Sequence, residues 1–173
     1  MATPKRPDIP ARREVDPLDA RGARIAALDA LARRDHASSE LRRKLRDKGY
    51  DGVVVDELVE RLIAEKLLDD RRYLQNFVAY HAARGQGPNR VRAELRKLGL
   101  QTPDVEPSLD DYPDWIAHLK RARQKKFGTS LPTNYADRQR QARFLAYRGY
   151  TGAQIRATFG FDTDLDADTT EEP

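Results

Sequence analysis

The sequence contains no cysteine and no long apolar run. The absence of cysteine excludes disulfide bonds, thiolate metal sites and cysteine nucleophiles. No segment approaches the roughly 18 apolar residues of a membrane-spanning helix, and no signal-peptide core stands near the N-terminus. We therefore expect a cytoplasmic protein that is neither secreted nor bound to a membrane.

Charged residues are abundant and unevenly distributed. They make up 35% of the 173 residues, against 39% hydrophobic residues, so the predicted core is thin. Residues 162–173 hold six of the 28 acids and no base, which leaves 22 acids against 32 bases and a net charge of +10 on residues 1–161. Such a basic body indicates a polyanionic or acidic partner, with which the acidic tail competes for the same basic surface. A tail that only increases solubility is the alternative.

Three segments spaced 50 residues apart end in the same pattern. They close on Lys48-Gly49-Tyr50, Leu98-Gly99-Leu100 and Arg148-Gly149-Tyr150, each preceded by a leucine (Leu45, Leu95, Leu145) and followed by Val55, Val105 or Ile155. A glycine just after an apolar helical run is typical of a helix end, because the residue there takes φ > 0. Each segment is therefore predicted to contain a helix, a tight turn and a second helix.

A further helical pattern precedes each pair, for example Ile25, Leu28 and Leu31 in the first segment. Strand-like alternation is absent, and the β-branched residues at 53–55 open a helical apolar pattern at 55, 58, 59, 62 and 63. We predict an all-α fold, an elongated array of three tandem three-helix repeats that resemble helix-turn-helix units. The predicted ranges are 21–68, 69–110 and 111–161, between a flexible proline-rich arm (1–20) and the acidic, disordered tail (162–173).

Capping residues mark the predicted helix starts. They are Ser38, Asp51, Asp69, Gly87 followed by Pro88, Thr102 followed by Pro103, and Thr151 with Gln154 as a capping box. Proline removes a backbone donor and clashes with the preceding turn. The third helix of the middle repeat is therefore predicted to be short or broken at Pro107.

Arginines recur in the same register of the first two repeats. Arg42 and Arg46 share one helix face at i, i+4, and Arg92 and Arg96 repeat this pair 50 positions later. We interpret them as a continuous basic face that follows a phosphate backbone or an acidic protein groove. A face that is merely solvated is the alternative. Lys120, Arg121, Arg123, Lys125 and Lys126 extend the basic character.

Sequence-specific DNA binding by a helix-turn-helix is not expected. Its second helix would be residues 53–66, which contain Asp56, Glu57, Glu60 and Glu65 against only Arg61 and Lys66. Phosphate would repel such a recognition helix in the major groove.

No catalytic or metal-binding pattern is recognisable. His36, His81 and His118 stand far apart without metal-ligand spacing, and we expect His81 to pack on the apolar face of its own helix. Walker motifs, a nucleophile elbow and paired catalytic acids are missing. We predict that the protein is not an enzyme and needs no cofactor or metal.

Four segments, taken in order, resemble the bacterial RecX family. They are Ala30 to Tyr50, closing on Lys-Gly-Tyr; Asp69 to Leu100, with an Asp-Asp start, a GxGP break and an Arg-x-Glu-Leu helix; Lys125 to Gly128; and Phe144 to Tyr150. The resemblance covers about residues 24–160. His81 stands where the family often has Arg, and the arm and tail lie outside the family pattern.

The resemblance implies a cytoplasmic modulator of the RecA recombinase that binds the RecA-DNA filament and restrains its ATP hydrolysis and strand exchange. The implied partners are the RecA filament and single-stranded DNA, with double-stranded DNA as an open alternative, and we expect a monomer. A helical repeat protein that coats single-stranded nucleic acid is the competing hypothesis. We expect Arg42, Arg46, Arg92 and Arg96 to supply much of the attachment. Further predicted contacts are Arg43, Lys48, Arg84, Arg90, Lys97, Lys125 and Lys126.

Overall fold

The computed structural model describes residues 15–100 and 103–160, which form helices and no strand. The helices are α1 (Ala20–Arg33), α2 (Ser38–Asp47), α3 (Gly52–Ala64), α4 (Asp70–Ala83), α5 (Pro88–Lys97), α6 (Val105–Asp110), α7 (Trp115–Phe127), α8 (Tyr135–Tyr147) and α9 (Gly152–Phe159). The predicted all-α fold of three tandem three-helix repeats is confirmed. The chain divides into two compact parts, an N-terminal part with α1–α3 (Met1–Leu68) and a C-terminal part with α4–α9 (Asp69–Pro173). Among the described residues, no helix is long and apolar enough to cross a bilayer.

The core of the N-terminal part is built on the apolar faces of α2 and α3. Leu41 and Leu45 of α2 and Val55 and Val59 of α3 are at most 1% exposed. The predicted pattern of α3 is confirmed at positions 55, 58, 59 and 62, whereas Ile63 is 39% exposed. Helical periodicity alone therefore identified most of this face.

The buried face of α1 differs from the prediction. Ala23, Ala27 and Ala30 face the core, whereas Ile25 is 55% and Leu28 is 37% exposed. The alanines have the same helical spacing as the larger residues, so both sets define a face. Small side chains let α1 approach α2 and α3 closely, and close packing favours the alanine face.

Each of the three repeated glycines ends its helix in a left-handed conformation. The φ angle is +105° at Gly49, +77° at Gly99 and +90° at Gly149. In every turn, the amide of the following residue donates to the carbonyl of the leucine five positions earlier, at 3.0 to 3.3 Å. The glycine amide donates to the carbonyl three positions earlier, which completes a Schellman motif. The predicted helix ends are thus confirmed.

Most predicted helix starts are also confirmed. The carboxylates of Asp51 and Asp69 accept backbone amide bonds in the first turns of α3 and α4, at 2.8 and 3.0 Å. Thr151 and Gln154 form the predicted capping box, and Pro88 is the first residue of α5. These local signals fix the helix boundaries independently of the packing between helices.

The predicted cap of α2 is wrong. Ala37 occupies the N-cap position, and Ser38 is the first helical residue. The Ser38 hydroxyl accepts a hydrogen bond from Nη1 of Arg42 at 3.1 Å. This serine therefore bonds to a side chain one turn later instead of closing the helix start.

The third helix of the middle repeat is short, as predicted. α6 spans only six residues and contains Pro107 in its first turn, where proline removes no helical hydrogen bond. Asp104 precedes the helix without making a capping side-chain bond. The predicted cap Thr102 lies outside the described residues.

Only the end of the predicted arm is described. Residues 1–14 and the acidic tail 162–173 lie outside the described ranges. The carbonyl of Pro17 accepts the amide of Asp51 at 2.9 Å. The contacts of the first repeat thus reach back to residue 17.

In the C-terminal part, the turn of the third repeat packs directly against the break between α4 and α5. The amide of Gly87 donates to the carbonyl of Arg148 at 2.8 Å, and the amide of Asn89 donates to that of Gly149 at 3.0 Å. A Cβ on Gly87 would lie 2.3 Å from the amide nitrogen of Tyr150. This backbone contact, the glycine junction, joins the middle and third repeats.

Candidate anion-binding cleft

The predicted arginine face of α2 is occupied by ion pairs. Nη2 of Arg42 lies 2.7 Å from Oε1 of Glu60, and its Nε lies 3.2 Å from Oδ1 of Asp56. Nη2 of Arg46 lies 2.8 Å from Oδ2 of Asp56. Two of the four acids that disfavoured a DNA recognition helix, Asp56 and Glu60, are therefore counterions of α2.

The middle repeat contains the same arrangement. Nε and Nη2 of Arg92 each lie 2.7 Å from one carboxylate oxygen of Glu106. The hydrogen bond from Arg92 lowers the pKa of Glu106 and outweighs the opposing effect of burial. The same bond raises the pKa of Arg92. Arg42 and Asp56, like Arg92 and Glu106, are 14 positions apart, so the 50-residue repeat includes this ion pair.

These contacts neutralise part of the predicted continuous basic face within the fold. Arg42, Arg46 and Arg92 already bind carboxylates of the next helix, and Lys97 binds Glu94 at 3.2 Å. Predicted contact residues that are exposed and form no ion pair within residues 15–100 and 103–160 are Arg43, Lys48, Arg90 and Arg96.

The other predicted residues, Arg84, Lys125 and Lys126, come together in a cleft of the C-terminal part. The cleft lies between the end of α4 and the facing sides of α7 and α8, and its volume is about 380 Å³. We call it the basic cleft. It is lined by Ala83, Arg84, Gly85, His118, Arg121, Ala122, Lys125, Lys126, Phe144 and Arg148.

One face of α7 forms a wall of the basic cleft. His118, Arg121, Ala122 and Lys125 follow one another at i, i+3, i+4 and i+7, which places them on the same side of the helix. The buried residues of α7 stand at 115, 119 and 123. One face of α7 is therefore buried, and a second face carries basic side chains without any acid.

Arg123 is buried, although it stands in the basic run from Lys120 to Lys126. It is 3% exposed, and its guanidinium donates to the carbonyls of Thr129 and Ser130 at 3.0 and 2.9 Å. A third bond, to Oε1 of Gln141, is 3.2 Å long. Arg123 therefore fixes the connection between α7 and α8, the two helices that face each other across the cleft.

Phe144 and Arg148 contribute the opposite wall. The guanidinium of Arg148 lies over the Phe144 ring, 5.0 Å from its centroid, and Nη1 donates to the carbonyls of Arg84 and Gly85 at 3.3 and 3.4 Å. Phe127 packs edge-on against Phe144 with the centroids 5.2 Å apart. The glycine junction and these contacts hold the charge of Arg148 at the cleft.

The basic cleft collects positive charge without compensation. None of its lining residues is a carboxylate. In the part of the chain that the structure describes, its Arg and Lys residues form no ion pair. Cations gathered on a concave surface focus the electrostatic potential and raise the local concentration of anions. This composition suits phosphate or carboxylate groups.

The histidines outside the cleft have packing roles. The His81 ring packs on Phe77 with a centroid distance of 4.1 Å and is hydrogen-bonded to Gln86, so its predicted position on the apolar side of its helix is confirmed. His36 is 2% exposed, and its Nδ1 lies 2.9 Å from the carbonyl oxygen of Arg34. Among the described residues, no group of three or more His, Cys, Asp or Glu side chains is placed to hold a metal ion.

Arg84, Lys125 and Lys126 of the cleft were predicted as contacts from the sequence, whereas Arg121 and Arg148 were not. The helical spacing of Arg121 and Lys125 was a readable signal. The contribution of Arg148 was not readable, because it depends on contacts with residues more than 60 positions away.

Three family models match this chain, each on one three-helix unit. The first three-helix domain of RecX matches residues 23–62, the second matches residues 69–107 and the third matches residues 114–159. Together these matches span most of the described chain.

Curated relatives and solved structures agree with the family models. The Regulatory protein RecX of Ectopseudomonas mendocina (strain ymp) is 46% identical over 129 residues, which are 74% of this chain and 86% of the relative. That of Pseudomonas fluorescens (strain SBW25) is 41% identical over 143 residues, or 82% and 92% of the two chains. The crystal structure of RecX from Lactobacillus salivarius superposes with a TM-score of 0.71 at 20% identity, covering 82% of this chain and 95% of that one. The structural likeness concerns the fold alone.

Proposed function

This chain belongs to the RecX family and is thereby a regulator of RecA, and we propose that it is a negative regulator that binds the RecA-DNA filament through the basic cleft. Binding at this cleft restrains the ATP hydrolysis and strand exchange of the filament. The observation that supports this proposal is the collection of unpaired cations from α4, α7 and α8 around one concave surface.

Electrostatic attraction between the cleft and phosphate supports this proposal. A recombinase filament on DNA carries phosphates, and a cleft of uncompensated cations attracts them. The cations stand on two repeats that the glycine junction holds together, so the cleft is a fixed arrangement and not a set of independent side chains. A ligand that binds one conformation of a filament more tightly than another stabilises that conformation. Binding that favours one step of the ATPase cycle therefore slows the cycle.

The remaining predicted cations have a smaller part in this proposal. Exposed Arg43, Lys48, Arg90 and Arg96 are proposed as additional contacts to the filament. Residues that already bind a carboxylate, such as Arg42, lose that partner on binding phosphate, so their net contribution to affinity is smaller.

The test is the ATPase activity of a preformed RecA filament on single-stranded DNA, titrated with this protein at near-physiological salt. We expect Arg121→Glu and Lys125→Glu each to raise the half-inhibitory concentration roughly tenfold, because each reversal adds repulsion at the cleft. Lys120→Glu is the matched control, because it makes the same charge change on an exposed residue of α7 outside the cleft. Equal losses in Arg121→Glu and Lys120→Glu would contradict a role specific to the cleft.

A second candidate function is a protein that coats single-stranded nucleic acid without sequence preference. The uncompensated charge of the cleft favours this function too, because such proteins follow the phosphate backbone. Stoichiometry separates the two. Inhibition at well below one protein per RecA supports a regulator that acts on the filament. Inhibition that begins only when the strand is covered by this protein supports coating.

A further inference from the structure

Two exposed tyrosines stand within one helical turn of residues that line the basic cleft. Tyr80 is 59% exposed and precedes the lining residue Arg84 by one turn of α4. Tyr147 is 86% exposed, follows Phe144 by one turn of α8 and directly precedes Arg148. Both helices that flank the cleft thus present a large aromatic ring to solvent within one turn of a cation that lines it.

We propose that the basic cleft is a subsite for single-stranded nucleic acid, in which Arg121, Lys125 and Arg148 hold a backbone phosphate and the adjoining bases stack on Tyr80 and Tyr147. This inference rests on the proposed function in so far as it places a polyanion in the cleft. It adds the residues that recognise the phosphate and the bases.

The surroundings of the two rings suit stacking. The guanidinium of Arg84 lies over Tyr80, 5.4 Å from the ring centroid, and its Nη1 donates to the tyrosine hydroxyl at 3.1 Å. This contact fixes the ring while most of it stays exposed. Tyr147 makes no ring contact within the described residues. Exposed rings close to cations in the sequence are the combination that binds single strands, because every base has an aromatic face.

The same features disfavour other polyanions. In a duplex the bases already stack on one another, so their faces are not available to a protein ring. An acidic protein segment would use the cations of the cleft but leave both tyrosines without a partner. The volume of about 380 Å³ fits one small group of the size that binding pockets enclose, not a folded domain.

The test compares two labelled oligomers of equal length and charge, oligo(dT) and the same backbone without bases. Binding of the full-length protein is measured by fluorescence anisotropy, without RecA. We expect the double variant Tyr80→Ala/Tyr147→Ala to bind oligo(dT) roughly ten- to a hundredfold more weakly, because base stacking on aromatic rings contributes this much per base. Its affinity for the abasic oligomer should equal that of the unmodified protein.

Tyr135→Ala is the matched control for the tyrosine variants. Tyr135 is also on α8 and 69% exposed, but it stands at the other end of the helix and outside the lining of the cleft. We expect this variant to bind both oligomers normally. Circular dichroism establishes that all variants retain their helices.

Charge reversal separates failure of the inference from failure of the proposed function. Arg121→Glu should weaken binding of oligo(dT) and abasic oligomer alike and reduce the salt dependence of both. If the tyrosine variant binds oligo(dT) as well as Tyr135→Ala does, stacking is refuted while the role of the cleft in RecA inhibition stands or falls with the ATPase assay.

An acidic peptide with the sequence of residues 162–172 provides the last comparison. If the peptide displaces oligo(dT) only at concentrations far above those of unlabelled oligo(dT), the nucleic-acid assignment is supported. If the peptide displaces it as effectively as unlabelled oligo(dT), the cleft is a site for acidic protein segments and the inference is overturned.

Discussion

At one repeated position, the first two repeats each pair an arginine with an acid of the next helix, whereas the third repeat has no such pair. The residues at equivalent positions are Arg42 and Asp56 in the first repeat, Arg92 and Glu106 in the middle repeat, and Ala142 and Arg156 in the third. The third repeat has neither the arginine nor the acid at these two positions, so it cannot form this pair. α9 contains no carboxylate at all. The repeat scaffold therefore stays the same, while the ion pair between its second and third helices is present in two repeats and absent from the third.

The glycine turns of the first and third repeats differ in what surrounds the glycine. A Cβ on Gly49 would find only Val15, at 3.8 Å, so this glycine is needed for its positive φ alone. A Cβ on Gly149 would lie 2.5 Å from the amide nitrogen of Arg90. The turn of the third repeat thus serves as a docking element for the middle repeat as well as a helix end.

The largest effect is expected from breaking this docking. Gly149→Ala combines a strained φ with a backbone clash, so we expect it to lower the free energy of unfolding of the C-terminal part by several kcal/mol, roughly 3 or more. Gly49→Ala carries only the conformational cost of about 1 kcal/mol. Urea unfolding measures both, with the fluorescence of Trp115, the one tryptophan, as the probe of the C-terminal part and circular dichroism as the probe of the whole chain.

Gly87→Ala isolates the clash from the conformational cost. Its φ is −85°, which any residue adopts, yet its Cβ would meet the third repeat at 2.3 Å. It should therefore destabilise the C-terminal part more than Gly49→Ala destabilises the N-terminal part. Equal losses from Gly49→Ala and Gly149→Ala would show that the glycine junction does not hold the two repeats together.

The sequence allowed the local features of the fold to be predicted. Helix ends at Gly49, Gly99 and Gly149 and the caps at Asp51 and Thr151 depend on residues within one turn, so their chemistry is visible in the sequence. The failures concern contacts between helices. In α1, the alanine face and the face of Ile25 and Leu28 have the same period, and the distance between helices decides which one is buried.

The candidate site was harder to predict for the same reason. The pair of Arg42 and Asp56 joins two helices across a turn, and it lies outside the i, i+4 positions that a helix alone brings together. The basic cleft depends on the glycine junction, which brings Arg148 to Arg84 and Gly85. The sequence therefore shows that the protein is basic, but tertiary contacts determine which cations lack an ion-pair partner.

A smaller effect on stability is expected when a cation loses its ion-pair partner than when the glycine junction is broken. We expect Glu106→Gln to reduce the stability of the C-terminal part at pH 7 by less than about 1 kcal/mol, as is usual for an exposed ion pair. Lys125→Gln should leave stability unchanged, because Lys125 has no carboxylate partner to lose. The pKa of Glu106 is lowered from 4.5, so the contribution of its pair is complete above that pH and is lost as the pH falls through the folded-state pKa.

The measurement is the urea midpoint of Trp115 fluorescence at pH 7 and near pH 3. Between these values, the unmodified protein and Lys125→Gln should lose the same stability, and Glu106→Gln should lose less. An acid dependence that Glu106→Gln leaves unchanged would mean that the ion pair with Arg92 does not contribute to stability.

The smallest effect is expected at the tyrosine that follows the glycine of the third repeat. Tyr150 is 2% exposed, and its hydroxyl has no hydrogen-bond partner among the described residues. Tyr150→Phe removes a buried polar group without a partner, so at pH 7 we expect unchanged stability or a gain of up to about 1 kcal/mol. Tyr50→Phe, at the equivalent and only partly buried position of the first repeat, is the control, for which no gain is expected.

The difference in stability between Tyr150→Phe and the unmodified protein can be measured at alkaline pH. Burial, partly offset by the charge of Arg148, raises the pKa of Tyr150 from 10.0 to about 12. The neutral hydroxyl is thus favoured in the folded state, and its contribution is complete below pH 10 and lost as the pH rises from 10 towards 12. The stability of Tyr150→Phe should consequently fall less steeply over this range than that of the unmodified protein. Parallel curves, with Trp115 fluorescence as the probe, would indicate that Tyr150 ionises as readily in the folded chain as in the unfolded one.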